Sequence, residues 1–184
     1  MMSDKLFIRA DDQVRDSFLL ARQIYDSGYI PDALIVLWRG GTPIGVVIHE
    51  FLAFKGIETY HTAIKVESYT GIGERREPRL EQIDRLLEHL NPGSRVLVID
   101  DIFDSGSTMA NVVEALAPHV QEIRVATLYY KEESNTTDLV PDYFHRKTES
   151  WIVFPHELVD LTEEEIKAKD SFVADLLLES SVGR

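Results

Sequence analysis

The chain has 184 residues, enough to bury a proper core in one domain, and 44% of them are hydrophobic and interleaved with polar ones, which excludes a disordered segment. It contains no cysteine, which removes disulfides, thiolate metal sites and cysteine nucleophiles together and suits the cytoplasm, where the protein is expected to act. A formal net charge of −13 reads chiefly as a solubilising surface, and it argues against sequence-independent binding of nucleic acid, which needs Lys and Arg set against phosphates.

Apolar runs such as Ala33 to Trp38 are too short to span a bilayer, and Met1-Met2-Ser3-Asp4-Lys5 shows no basic flank leading into an apolar stretch. No membrane segment and no secretion signal are expected. Asp11 and Asp12 can cap a first helix that carries Val14, Phe18, Ala21 and Ile24 on one side and ends at Gly28. Ala33 to Trp38 is continuously apolar, as a strand buried on both faces is. Arg39-Gly40-Gly41-Thr42 turns the chain, and Pro43 starts a helix that ends near Gly56.

Ile57 to Glu67 reads as a strand, and Ser68 to Pro78, nearly devoid of apolar residues, as a mobile loop. Leu80 to Leu90 is helical in pattern, with Ile83, Leu86, Leu87 and Leu90 on one side and Asn91-Pro92-Gly93 as its stop. Arg95 to Ile99 is the next buried strand, Thr108 to Ala117 a helix, Ile123 to Tyr130 a strand and Trp151 to Phe154 a short late strand. Thr162-Glu163-Glu164-Glu165 forms a capping box for a C-terminal helix over about 162–180. Strands alternating with helices predict an α/β fold with a central parallel sheet flanked by helices, and ligands of such sheets sit beyond the carboxyl ends of the strands.

Residues 96–109, Val-Leu-Val-Ile-Asp-Asp-Ile-Phe-Asp-Ser-Gly-Ser-Thr-Met, carry the chemistry. Four apolar residues lead into Asp100 and Asp101, whose adjacent carboxylates suit sugar hydroxyls or a hydrated Mg²⁺. Asp104 follows, then Ser105, Gly106, Ser107 and Thr108 supply hydroxyls and backbone N–H groups where a helix begins, a place that attracts phosphate. Gly106 lets the backbone close around an anion. A capped helix start alone accounts for one or two of these residues, not for the whole run. The segment is no Walker loop, since it lacks the Gly-Lys-Ser/Thr ending.

This run resembles the signature of type I phosphoribosyltransferases, which bind 5-phosphoribosyl 1-pyrophosphate (PRPP). The resemblance implies that Asp100 and Asp101 hold the ribose hydroxyls and Mg²⁺, and that Ser105, Gly106, Ser107 and Thr108 hold the 5′-phosphate. Trp38-Arg39-Gly40-Gly41 is similar to the family's pyrophosphate loop, which implies a pyrophosphate-binding role for Arg39, Gly40 and Gly41 and a non-proline cis peptide at Trp38–Arg39. Ser68-Tyr69 resembles the Ser-Tyr pair on the catalytic flap of 6-oxopurine enzymes, placing a flap at about 68–79 that excludes water on closing.

Lys131, at the end of a strand, resembles the lysine that contacts the purine 6-oxo group, and Trp151-Ile152 the segment where an aromatic ring stacks on the purine while the next backbone reads its edge. Asp104 aligns with the carboxylate near purine N7, where it would act as general base. Position 107 is Ser rather than the Lys of vertebrate-type enzymes, which brings the chain nearer the bacterial xanthine/guanine branch or archaeal relatives. Glu157 is the nearest candidate for a late acidic residue on pyrophosphate-bound Mg²⁺. His49-Glu50 lacks a second histidine at residue 53, which is Ala, so the six histidines read as structural or surface residues.

The expectation is therefore one domain, 1–184, with a mobile flap and a small hood around 141–160. It would move ribose 5-phosphate from PRPP to N9 of hypoxanthine, guanine or xanthine with Mg²⁺, giving a nucleoside monophosphate and pyrophosphate, as a homodimer or homotetramer. The rivals are a phosphoribosyltransferase for another base and a regulator that senses PRPP or nucleotides on the same fold.

Overall fold

A computed structural model describes residues 5–66 and 83–178. The elements in chain order are β1 (Lys5–Phe7), α1 (Ala10–Asp26), β2 (Ala33–Trp38), α2 (Gly41–Phe54), β3 (Tyr60–Lys65), α3 (Ile83–Leu87), β4 (Arg95–Phe103), α4 (Ser107–Leu116), β5 (Glu122–Tyr130), β6 (Tyr143–Lys147), β7 (Trp151–Val153), α5 (Glu163–Lys169) and α6 (Ser171–Leu178). They group into two compact units, one of Asp11–Glu149 and one of Met1–Ala10 with Ser150–Arg184. The expected flap, with Ser68 and Tyr69, lies outside the described residues.

The larger unit is built on a five-stranded sheet in the order β3-β2-β4-β5-β6, parallel throughout. Its central strands are apolar along their length because both faces are covered. On one face Ile35, Val96, Val98 and Val125 join Leu86 of α3 and Met109, Val112 and Leu116 of α4 in a single core. α2 packs on β2 and β4. That packing is close enough to need Gly45, where a Cβ would come within 2.6 Å of Val36 Cγ2.

Several features differ from the sequence expectation. The buried stripe of α1 is Gln13, Asp16, Ser17, Leu20, Ala21 and Ile24, while Val14 and Phe18 are exposed. Two polar members of the stripe have partners inside: Ser17 Oγ donates to Gln13 O at 2.7 Å, and Asp16 faces His145 Nε2 at 3.1 Å and Arg146 Nη2 at 3.6 Å. The strand β6 was not expected, because its charged sequence follows neither strand pattern; such charge is common on a sheet edge, where it deters further pairing. The C-terminal helix is two, α5 and α6, with Asp170 extended between them.

In the smaller unit β1 pairs in parallel with β7, Leu6 opposite Ile152, and the ladder continues with Ile8 N–H on Val153 O at 3.0 Å. The capping box at Thr162 forms as expected, Thr162 Oγ1 accepting from Glu165 N–H and Glu165 Oε2 from Thr162 N–H. Lys5 Nζ ties the same glutamate at 2.6 Å. No helix among the described residues is long and apolar enough to cross a membrane.

Alanine is the better helix former by about 1 kcal/mol in an open position. Gly45→Ala should nevertheless destabilise the protein by about 1–3 kcal/mol in urea unfolding, because overpacking against Val36 outweighs that gain. A stabilised variant would show that α2 does not need this approach to β2.

Candidate functional site

The site lies at the carboxyl edge of the parallel sheet. β4 runs on to Phe103, past the Ile99 where its apolar core ends, so Asp100 and Asp101 are strand residues rather than loop residues. Consecutive side chains of a strand leave on opposite faces. Asp100 accordingly lines a cleft of about 220 Å³ together with Phe103, Asp104, Ser105, Gly106 and Thr108. Asp101 is buried on the other side, with its carboxylate against Gly40.

Burial first, and then the neighbouring Asp101 carboxylate, push the Asp100 carboxyl well above the usual carboxylate range. Hydrogen bonds from the N–H groups of Asp101, at 2.9 Å, and Gly41 partly offset this. The Asp100 carboxyl thus favours its protonated form.

The turn after β2 reaches this edge directly. The Trp38–Arg39 peptide is cis, as the resemblance implied. Gly40 and Gly41 then pass so close to β4 that neither tolerates a side chain. A Cβ on Gly40 would overlap the Asp101 carboxylate, and one on Gly41 would lie 2.5 Å from Ile99 O and 2.9 Å from Asp100 Cα. Arg39 is exposed at the head of this turn.

After β4 the chain turns through Ser105 and Gly106 into α4. Gly106 is the cap residue at φ 79°, ψ −14°, and offers no side chain to the first-turn N–H groups. The Ser107 N–H donates instead to Ser105 Oγ, at 3.4 Å. Ser105 Oγ and Ser107 Oγ lie 2.9 Å apart at the same turn.

Asp104 and Lys131, chosen separately from the sequence, meet: Lys131 Nζ donates to Asp104 Oδ2 at 2.9 Å, the lysine buried and the aspartate half exposed. Their backbones are also joined by Lys131 N–H on Phe103 O at 2.9 Å. Trp151 and Ile152 fall in the smaller unit, Trp151 57% exposed and Ile152 buried. Glu157 belongs to that unit too, where its Oε2 accepts the Phe154 N–H at 2.9 Å and closes a turn.

One contact escaped the sequence reading. Thr136 binds Ser105 O with both its N–H, at 3.0 Å, and its Oγ1, at 3.1 Å. Asn135-Thr136-Thr137 looks like any polar loop, and only its return to the Ser105 turn distinguishes it.

A parallel sheet whose carboxyl edge gathers carboxylates, a glycine turn and a helix start around a cleft defines an α/β protein of the kind that takes its ligands beyond the strand ends. Residues 14–161 match the phosphoribosyl transferase domain family, and the chain belongs to it. A curated xanthine-guanine phosphoribosyltransferase of Cereibacter sphaeroides is 28% identical over 166 residues, 86% of this chain and 91% of that protein. A purine phosphoribosyltransferase from Pyrococcus horikoshii superposes with a TM-score of 0.68 at 29% identity, over 86% of this chain and 97% of that one. A hypothetical protein from Neisseria gonorrhoeae, solved with bound ppGpp, shares the fold with a TM-score of 0.75 at 24% identity, over 94% and 99% of the two chains.

A carboxyl whose folded pKa is raised stays protonated in the folded chain while the unfolded chain has ionised, so stability falls as pH rises above the ordinary carboxylate range. Asn at position 100 keeps the accepted N–H bonds and carries no charge. Asp100→Asn should therefore melt higher than wild type in EDTA, by a margin that widens from pH 4 to pH 8. A margin that is flat or negative over that range would contradict the electrostatic cost assigned to the pair.

Proposed function

We propose that this protein transfers the 5-phosphoribosyl group of PRPP to N9 of a 6-oxopurine. The carrying observation is the Lys131–Asp104 pair at 2.9 Å beside the cleft, a fixed cationic donor next to an anionic acceptor. That pairing complements the 6-oxo oxygen, which accepts, and an adjacent N7–H, which donates. A 6-amino group would set donor against donor at Lys131. The relatives named xanthine-guanine phosphoribosyltransferase support the same choice.

In the reaction N9 bonds to C1′ of the ribose while the C1′–O bond to pyrophosphate breaks, and the bonding pair leaves with pyrophosphate. Asp104 takes the N7 proton as the purine develops positive charge, and Lys131 orients the ring through its 6-oxo oxygen. The first turn of α4, with Ser105, Ser107 and Thr108, holds the 5′-phosphate, and Arg39, Gly40 and Gly41 receive the pyrophosphate. Positioning of the two reactants supplies much of the acceleration.

The donor set fits Mg²⁺. Asp100 and Asp101 are hard oxygen ligands whose mutual repulsion a dication relieves. Among the described residues no third carboxylate or imidazole gathers with them, so substrate oxygens and water would complete the shell. When bound, the ion would neutralise charge on the pyrophosphate. Assembly as a homodimer or homotetramer belongs to the same proposal, supported by the exposed Val46 and Phe54 on α2.

A panel of hypoxanthine, guanine, xanthine, adenine and pyrimidines with PRPP and Mg²⁺ tests the activity, the formed nucleotide being identified by mass. Product from the 6-oxopurines alone is expected; product from adenine or a pyrimidine instead, or none from any base, would reject the acceptor assignment. Asp104→Asn should lower kcat by about a hundredfold to ten-thousandfold with PRPP binding unchanged, and near-normal turnover would remove Asp104 from proton transfer.

A further inference from the structure

We infer that Asn135 is a positioning residue for the 5′-phosphate turn, acting through Thr136 and Thr137 without touching ligand. The inference rests on the proposed role of residues 105–108 and adds to it a second segment that sets their geometry.

Behind Gly106 there is no room, because the 135–137 turn and the Phe103 ring, whose Cε1 would lie 2.7 Å from a Cβ there, fill it. A Cβ on Gly106 would lie 2.6 Å from Thr137 Oγ1 and 2.8 Å from Asn135 Oδ1. Beside it, Thr136 grips the Ser105 carbonyl with the two donors already described. A trans peptide is planar, with its C=O and N–H on opposite sides. Holding the Ser105 carbonyl toward Thr136 therefore points the Gly106 N–H away from Thr136, so one fixed oxygen determines the direction of a phosphate-turn donor.

Asn135 shapes the gripping segment with both ends of its carboxamide. Its Oδ1 accepts from Thr137 N–H and Thr137 Oγ1, each at 2.9 Å, and its Nδ2 donates to Leu139 O at 2.9 Å. These bonds present Thr136 to Ser105 and seat Thr137 against Gly106. Alanine at 135 removes these three and a longer one from Nδ2 to Tyr130 Oη at 3.4 Å, whereas aspartate keeps the two accepted ones.

The test uses the full chain with Mg²⁺, measuring ribose 5-phosphate and pyrophosphate binding separately by calorimetry, with kcat and KM for PRPP. Asn135→Ala should weaken ribose 5-phosphate and raise the KM for PRPP by about tenfold, the scale of one well-placed hydrogen bond. Pyrophosphate binding should stay within about twofold and kcat at saturating PRPP within about threefold, and Asn135→Asp should restore ribose 5-phosphate binding to within about threefold of wild type. A purely structural role would weaken both ligands alike. That result, or ribose 5-phosphate binding to Asn135→Ala as to wild type, overturns the inference. Should Asn135→Ala fail to fold, Thr136→Val decides: it should weaken ribose 5-phosphate alone, and unchanged binding overturns the inference. Wild type that binds neither PRPP nor ribose 5-phosphate would instead reject the phosphoribosyl site itself, before any variant is made.

Discussion

The approach of the Gly40–Gly41 backbone to the carboxyl end of β4 is the contact on which the site depends. It brings the turn after one strand within van der Waals reach of Ile99 O, Asp100 Cα and the Asp101 carboxylate on the next strand. Only because those two positions lack side chains can the Gly41 N–H reach the Asp100 carboxylate and the Arg39 turn stand beside the cleft. The parallel sheet makes the meeting possible. β2 and β4 are neighbours in register, so their carboxyl ends, and the turns that follow them, emerge side by side. The same logic places Lys131 next to Asp104, since β4 and β5 are also paired through to Phe103 and Tyr130.

That arrangement is held at an electrostatic cost. Two adjacent carboxylates at the end of an apolar strand oppose folding when both are ionised, and burial of Asp100 deepens the penalty. In the proposed function a bound cation would offset that cost. Stability and ligand binding would then be linked through the same two side chains.

Much of this was legible because it is local in sequence. Strand, carboxylates, glycine and hydroxyls follow one another within residues 96–109, so periodicity and turn chemistry suffice to place them. The glycine turn at 40–41 and the basic Lys131 could be picked out for the same reason. What escaped depends on contacts distant in sequence. The side on which Asp101 lies follows from β4 continuing beyond its apolar core. The grip of Thr136 on Ser105 joins residues about thirty positions apart with nothing in Asn-Thr-Thr to announce it. β6 was hidden by its own basic residues, and the buried face of α1 by Ser17, which turns back on its own helix, and by Asp16, whose partners His145 and Arg146 come from β6.

The most direct test of this assembly is PRPP binding, by calorimetry in the presence of Mg²⁺, to wild type and to Gly40→Ala. The wild-type chain should bind, and Gly40→Ala should lose at least about tenfold in affinity while its circular dichroism stays that of the folded protein. Binding by a folded Gly40→Ala within about twofold of wild type would contradict the dependence of the site on this close approach.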